Sequence, residues 1–338
     1  MEMERRNMNV LVVGGAGYVG SHAVRALMDA GHNAWVYDSL VLGHREACPP
    51  DRYIAGDILD RAALESVLRE MRIEAVMHFA AFTLVGESVT DPAKYYRNNV
   101  IGALTLLEAM KAASVRKIVF SSTAAVYGEP REIPIREDAA KLPVNPYGVT
   151  KLLIEQALAD FSAAYEFGFA ALRYFNASGA HPSGQIGEDH VPESHLIPLV
   201  LQVALGQRPH ITVFGEDYPT PDGTCIRDYI HVQDLASAHI RALDHLSPGT
   251  KLQLNLGTGR GYSVKEVIAM CREVTGHDSP AVMGQRRAGD PPSLVADPTL
   301  AHTTLGWKAQ CSDLRTIVTD AWRWHQSHPQ GYGDRRLA

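Results

Sequence analysis

The stretch Asn9-Val-Leu-Val-Val13-Gly14-Gly-Ala-Gly17-Tyr-Val-Gly20 decides the fold, and Asp38 comes 18 residues after Gly20. Residues 9–13 are short, apolar and β-branched, which predicts a buried strand. The glycines after them permit a tight turn, let the backbone approach a pyrophosphate, and let the next helix sit close to the sheet. That helix is expected over residues 18–30, and its free first-turn amides and dipole suit phosphate. A second strand over 33–37 ends at Asp38. A carboxylate there can accept hydrogen bonds from both hydroxyls of an adenosine ribose and repels a 2′-phosphate. No arginine directly follows it, so NAD is expected rather than NADP.

The alternation continues outward from this unit. Further strands are expected at 53–55, 75–78, 117–121 and 170–174, with helices near 62–70, 92–112 and 146–167. Asp91-Pro92 is a strong helix start, a cap residue followed by proline at the first helical position. Buried strands separated by helices imply a parallel sheet covered on both faces. Beyond Tyr174, glycine and proline gather in residues 179–187 and 218–223, which read as loops over a site. A helix over 232–247 and a strand over 252–256 return the chain to the first unit. Helices over 263–275 and 313–328 suit a smaller lobe. The expected class is α/β: a Rossmann-like doubly wound parallel sheet with a smaller C-terminal substrate-binding α/β lobe. The domains expected are 1–178, with the chain returning at about 226–262, and 179–338.

The chain has 338 residues, enough for one large or two ordinary domains, and 46% of them are hydrophobic, so a real core is expected. Its formal charge of −6 gives no electrostatic footprint for nucleic acid or an anionic membrane. Cys48, Cys225, Cys271 and Cys311 are scattered without a Cys-x-x-Cys pair. That excludes a zinc ribbon or disulfide framework and fits a reducing compartment. Residues 1–8 carry charge and no apolar run, so no signal peptide is expected. No segment approaches the roughly 18 apolar residues of a membrane helix. The expectation is a cytoplasmic protein.

Tyr147-Gly-Val-Thr-Lys151 sits at the start of the helix expected over 146–167, so the two side chains share a face. Alone the pair could be a solvated surface couple. Ser121-Ser122-Thr123 closes a predicted strand, and ligands in open α/β sheets bind outside such carboxyl ends. A phenol titrates near 10 and is a poor base at neutral pH. The Lys151 ammonium and a positive nicotinamide ring would both favour phenolate. Lowering the phenol by about three pH units needs roughly 4 kcal/mol of differential stabilisation. Tyr147 could then take a hydroxyl proton while NAD accepts a hydride, with Thr123 hydrogen-bonded to the reacting oxygen.

The Gly-x-x-Gly-x-x-Gly spacing resembles the extended short-chain dehydrogenase/reductase family. The wider pattern is similar to its UDP-glucose 4-epimerase family over nearly the whole chain. It is carried by residues 14–22, Gly86-Glu-Ser88, Asn98-Asn99, Tyr127-Gly128, Pro146-Tyr147-Gly148, Arg173-Tyr-Phe-Asn176 and Gly179-Ala-His-Pro-Ser183. It continues through Gly187-Glu188, Arg227-Asp-Tyr-Ile-His231, Asn255-Leu256-Gly257, Arg286-Arg287 with Gly289-Asp290, and His328-Pro-Gln-Gly-Tyr332. The resemblance implies Tyr147 as base, Lys151 as its electrostatic partner and Thr123 as the third catalytic residue. It places NAD against Gly14, Gly17, Tyr18, Val19, Gly20, Asp38, Asp57, Ile58, Phe79, Ala80, Asn98, Ser122, Tyr147, Lys151 and Tyr174. It places a UDP-hexose against Thr123, Tyr147, Asn176, His195, Phe214, Arg227, Arg287, Asp290 and Leu294. Two arginines on a diphosphate make charge-assisted, bidentate contacts. The implied reaction is reversible C4 epimerisation of UDP-glucose and UDP-galactose through a 4-keto sugar.

Two departures from that pattern are Thr83, where many members have lysine, and Ser194-His195, where many have paired asparagines. Leu294 stands at the implied gate for a C2 substituent, between the large aromatic and the small residue of other members. Ala124-Ala125 occupies the place where the related dehydratases carry an acid and a base, so dehydration is not expected. A non-catalytic NAD-binding protein would have no use for Thr123, Tyr147 and Lys151 together. His181, Glu188, Asp189 and His190 are close in sequence but lack helical histidine spacing, and no metal is expected. The resemblance also implies a homodimer through the helices at 92–112 and 146–167, with Leu104, Leu107, Leu153 and Leu158 as contact candidates.

Overall fold

The computed structural model describes residues 7–286 and 290–333. Its main sheet has seven parallel strands, β1 (Asn9–Val13), β2 (Asn33–Asp38), β3 (Tyr53–Ala55), β4 (Ala75–His78), β5 (Lys117–Thr123), β6 (Gly168–Tyr174) and β7 (Lys251–Leu256). Their order is β7-β6-β5-β4-β1-β2-β3, reversing direction between β1 and β4. That reversal opens a crevice at the carboxyl ends of the strands, where ligands of such sheets bind.

Alternation along the strands builds two cores. Val10, Val12, Met77, Val119 and Leu172 pack on the helices Tyr18–Asp29 and Val232–Asp244 through Val24, Leu27, Leu235 and Leu243. Leu11, Val13, Val76, Ile118 and Phe169 face the opposite way, onto Leu64, Leu68, Leu106, Met110, Ile154 and Leu158. Both faces of the sheet are therefore covered, and the strands read as nearly continuous apolar runs.

β7 comes after a long excursion yet pairs with β6 from Lys251↔Phe169 to Leu256↔Tyr174. The excursion builds a third core from the helices Leu196–Ala204, Val264–Thr275 and Leu314–Ser327, through Val200, Leu201, Val267, Cys271, Ile317 and Val318. The first of these helices, and the strand pair Ile211–Phe214 with Ala281–Gly284, carry no expectation from sequence.

The helix expected over 92–112 is not uniform. It begins as Pro92–Tyr95, passes through a π-helical segment Tyr96–Ile101, and resumes α-helical as Gly102–Ala112. β5 runs two residues past its expected end, so Thr123 belongs to the strand. Leu107 and Leu158 are 1% and 0% exposed and belong to the second core, so neither can contact another subunit. Leu104 and Leu153 stand outside, 37% and 43% exposed. Among the described residues no helix is long and apolar enough to cross a membrane.

Candidate functional site

The loop after β1 shows why its glycines are there. Gly14 has φ +81°, and a Cβ on it would lie 2.3 Å from the backbone nitrogen of Ala80. A Cβ on Gly20 would lie 2.2 Å from the Gly14 carbonyl oxygen. Side chains at these two positions would drive the helix and the neighbouring strand end apart. Gly17 meets nothing closer than 3.5 Å, so its backbone is open toward the crevice. Tyr18, Val19 and Gly20 form the first helical turn there.

Two adjoining cavities fill the crevice and share Gly14, Gly17, Leu42, Phe79 and Ala81. The smaller, about 330 Å³, is lined by Asp38, Asp57, Ile58, Phe79, Ala80 and Asn98. Asp38 accepts hydrogen bonds from the amides of Ala16 at 3.0 Å and Leu40 at 2.8 Å, which fixes its carboxylate at the strand end. Lys94 and Arg97 also line this cavity, unannounced by any short motif. They stand within one turn of Asn98, the position that could have drawn attention to them.

Asn98 and Asn99 divide their work at the π-helical segment. Asn98 lines the smaller cavity. Asn99 is buried and clamps Phe82, accepting from its amide at 2.9 Å and donating to its carbonyl at 3.0 Å. Wide turns of this kind recur at functional sites because they re-aim neighbouring side chains.

The larger cavity, about 410 Å³, brings together Tyr18, Val19, Gly20, Phe79, Thr123, Tyr147, Lys151, Tyr174, Asn176, His195, Arg227, Asp290 and Leu294. Thr83, Ala124, Ala125 and His190 line it as well. Helix Pro146–Tyr165 carries Tyr147 and Lys151; Asn145 caps it by accepting from the Gly148 amide at 2.8 Å, and Pro146 takes the first helical position. Lys151 lies on the buried face with Gly148, Ile154, Glu155 and Leu158. Its Nζ donates to the Ser121 carbonyl at 2.9 Å and sits 5.9 Å from the Tyr147 ring centre.

Burial dominates the electrostatics of this pair. Burial pushes the Tyr147 phenol up to about 12, and its hydrogen bond with Thr123 only partly opposes this. Burial pushes Lys151 down to about 7, against the pull of Glu155. Burial thus opposes the charged form of both groups.

Two expected site residues are not brought to the crevice. Ser122 lines neither cavity; it is buried and donates to Glu155 at 2.5 Å. Strand alternation explains this, since its neighbours Ser121 and Thr123 point the other way. Phe214 lies on the small two-stranded sheet, 38% exposed, and also lines neither cavity. Arg287 falls outside the described residues. Arg227 and Asp290 pair with each other at 3.0 Å at the cavity wall.

Behind the site lies a buried network that joins Tyr127, Arg173 and Asn255, three residues of the quoted stretches given no role there, to Glu155. Arg173 binds Glu155 through a 2.6 Å ion pair in which both side chains are at most 1% exposed. Arg173 also donates to the Tyr127 hydroxyl at 2.9 Å, and Tyr127 donates to Asn255 at 2.7 Å.

His190 and His195 meet Glu188 and Glu193 at the wall of the larger cavity. Burial works against a charge on His190, but the two carboxylates lift it to about 10. Burial would raise Glu188, but the two imidazoles hold it well below the usual carboxylate range. His181, considered beside them in the sequence, instead pairs with Ser183 at 2.7 Å.

The residues present fit a dinucleotide. The open Gly17 backbone and first helical turn stand between the two cavities, Asp38 waits at one end, and Tyr147 with Lys151 at the other. Residues 10–257 match the family described as the NAD dependent epimerase/dehydratase family. A UDP-glucose 4-epimerase of Halalkalibacterium halodurans is 54% identical over 96% of this chain and 98% of its own length. A crystal structure of a UDP-glucose 4-epimerase superposes with a TM-score of 0.94 at 52% identity, covering 96% of this chain and 100% of that one. The Brucella ovis UDP-glucose 4-epimerase, solved in complex with NAD, gives a TM-score of 0.90 at 50% identity over 94% and 98% of the two chains. The chain belongs to the NAD dependent epimerase/dehydratase family, within the extended short-chain dehydrogenase/reductases.

Proposed function

We propose that this chain interconverts UDP-glucose and UDP-galactose by reversible epimerisation at C4, with NAD kept bound throughout. The observation that carries the reading is the wall of the larger cavity. Thr123, Tyr147 and Lys151 stand there beside the glycine loop, while Ala124 and Ala125 occupy the places from which a dehydratase would move protons. Bound NAD would supply the hydride acceptor, and then donor, for C4 of the sugar.

The chain's own residues handle the proton, the charge and the grip. Tyr147 takes the O4 proton and later gives it back, with Thr123 hydrogen-bonded to the same oxygen. Because burial alone holds the phenol near 12, it becomes a base only when positive charge is added beside it. Lys151 supplies part of that charge, and Glu155 keeps the ammonium from losing its proton altogether. Asn176, His195, Arg227 and Asp290 hold the nucleotide from the opposite wall, the Arg227–Asp290 pair opening toward diphosphate and ribose hydroxyls. A clamped nucleotide leaves the hexose free to turn, so that hydride can return to its other face.

Leu294 lines the sugar end and sets the room beside C2. We read UDP-glucose and UDP-galactose as the main substrates, with weaker use of their N-acetyl counterparts. The first unit, 1–178 with 226–262, serves NAD, and the remainder serves the UDP-sugar. A homodimer through the helices that expose Ile101, Leu104 and Leu153 is part of the same reading, as is a cytoplasmic setting that suits four cysteines without a disulfide.

Purified protein incubated with UDP-galactose and no added cofactor should yield UDP-glucose, and denaturation should release NAD. Absence of product with NAD present would overturn the reaction. Light scattering at the monomer mass would overturn the dimer.

A further inference from the structure

Glu188, His190, Glu193 and His195 converge so that one ligand atom from each lies within 4.8 Å of all the others. We propose that these four side chains form a binding site for one divalent transition metal ion of the zinc class. The site borders the same cavity and shares His195 with the nucleotide grip proposed above.

The spacing is that of a coordination shell. Bonds of about 2.1 Å in tetrahedral geometry put ligand atoms roughly 3.4 Å apart. His190 Nδ1 lies 3.2 Å from Glu188 Oε1 and 3.7 Å from Glu193 Oε2. His195 Nδ1 lies 3.6 Å from Glu193 Oε1, but it is hydrogen-bonded to Glu188 Oε1, so these two atoms would have to move apart to share an ion. The two rings stand 5.2 Å apart at 70° to each other, so they converge rather than stack.

A second observation points to a ligand. His190 Nδ1 is buried and makes no hydrogen bond, although carboxylate oxygens flank it. A ring placed only to pair with a carboxylate would align its N–H with one oxygen. A ring aimed at a centre between several donors meets no such demand. With both imidazoles deprotonated the set carries −2, which one divalent ion cancels, so metal binding would release the protons that otherwise pair these rings with the carboxylates.

The donor set narrows the metal. Imidazole nitrogen with carboxylate oxygen suits zinc, cobalt and nickel, whereas magnesium and calcium favour oxygen alone. An outer contact orients one ligand, since Glu193 Oε1 accepts from the amides of Ser194 at 2.7 Å and His195 at 2.8 Å. His190 and His195 both line the larger cavity, and the His190 ring sits 6.1 Å from that of Tyr18 in the glycine loop. A bound ion would tie the loop before helix Leu196–Ala204 into the cavity wall, away from Tyr147.

The rival occupant is a pair of protons, which would make imidazolium–carboxylate pairs and leave no place for a metal. Tag-free protein stripped with a chelator should be titrated with Co²⁺ at neutral pH, then with Zn²⁺. The expected result is the intense visible absorption of tetrahedral cobalt, saturating at about one equivalent per chain and abolished by zinc. His190→Ala and the isosteric Glu193→Gln should each weaken zinc binding by at least roughly 10-fold in calorimetry, with circular dichroism unchanged. No tetrahedral cobalt spectrum, or zinc binding equal in the wild type and in whichever variant folds, would overturn the site.

Discussion

Lys151 donates its ammonium to the main-chain carbonyl of Ser121 at 2.9 Å, one helical turn from Tyr147 and on the buried side of it. The cation is thus anchored to the strand end that also presents Thr123, and Thr123, Tyr147 and Lys151 all line the larger cavity. The two members of the pair are displaced in opposite directions by the same burial, Tyr147 upward and Lys151 downward.

Replacing the phenol tests its role directly. Tyr147→Phe removes one oxygen and keeps the ring, so turnover of UDP-galactose should fall by roughly 10²- to 10⁴-fold. Binding of UDP, followed by calorimetry, should change little. Activity within threefold of wild type would refute Tyr147 as the base.

The buried ion pair behind the site should matter more for stability than any surface pair. Glu155→Gln leaves Arg173 charged and without its partner, which typically costs about 3–5 kcal/mol. It also removes the group that opposes loss of the Lys151 proton. Urea unfolding should report the first effect. A loss below about 1 kcal/mol would show that Tyr127 and water suffice for Arg173.

His78 should make the fold acid-sensitive. It is 2% exposed, both ring nitrogens lack hydrogen bonds, and burial pushes it down to about 3, with Lys151 adding to the effect. The folded state holds it neutral, while the unfolded chain takes up a proton below about 6.5. Stability is therefore full above that pH and is lost as pH falls toward 3, at most by about 1.4 kcal/mol per pH unit from this group. His78→Phe should flatten that slope, read as urea midpoints at about pH 7 and about pH 4.5. An unchanged slope would assign the acid sensitivity to the other buried histidines, such as His22 and His239.

Substrate width should respond to one side chain. Leu294→Tyr narrows the sugar end of the cavity, so activity on UDP-N-acetylglucosamine should drop well below that on UDP-glucose. Unchanged N-acetyl activity in the variant would refute the gate.

Much of this was legible in the chain, because the local signals agree with one another. Gly14 and Gly20 answer to backbone contacts that forbid a Cβ, Asp38 to a strand end, and Tyr147 with Lys151 to helical spacing. The rest was hidden for physical reasons. Ser122 differs from Ser121 only in strand phase, which a single residue of register decides. Leu107 and Leu158 look like Leu104 and Leu153 until the helices pack. Arg173, Glu155, Tyr127 and Asn255 are far apart in sequence, and only the closed sheet joins them. Glu188, His190, Glu193 and His195 keep no regular period, because a loop rather than a helix brings them together.

The wide turn at Tyr96–Ile101 has an evolutionary corollary. A π-turn amounts to one surplus residue within an α-helical run, so its loss would leave a helix of better intrinsic quality. The phase of the helix before it would rotate by about 100° relative to the helix after it. Asn98 would leave the nucleotide crevice and Asn99 would release Phe82, at no cost in helical propensity. A shortened homologue of this stretch would thus be well folded and poorly furnished, its defect invisible to any measure of helicity.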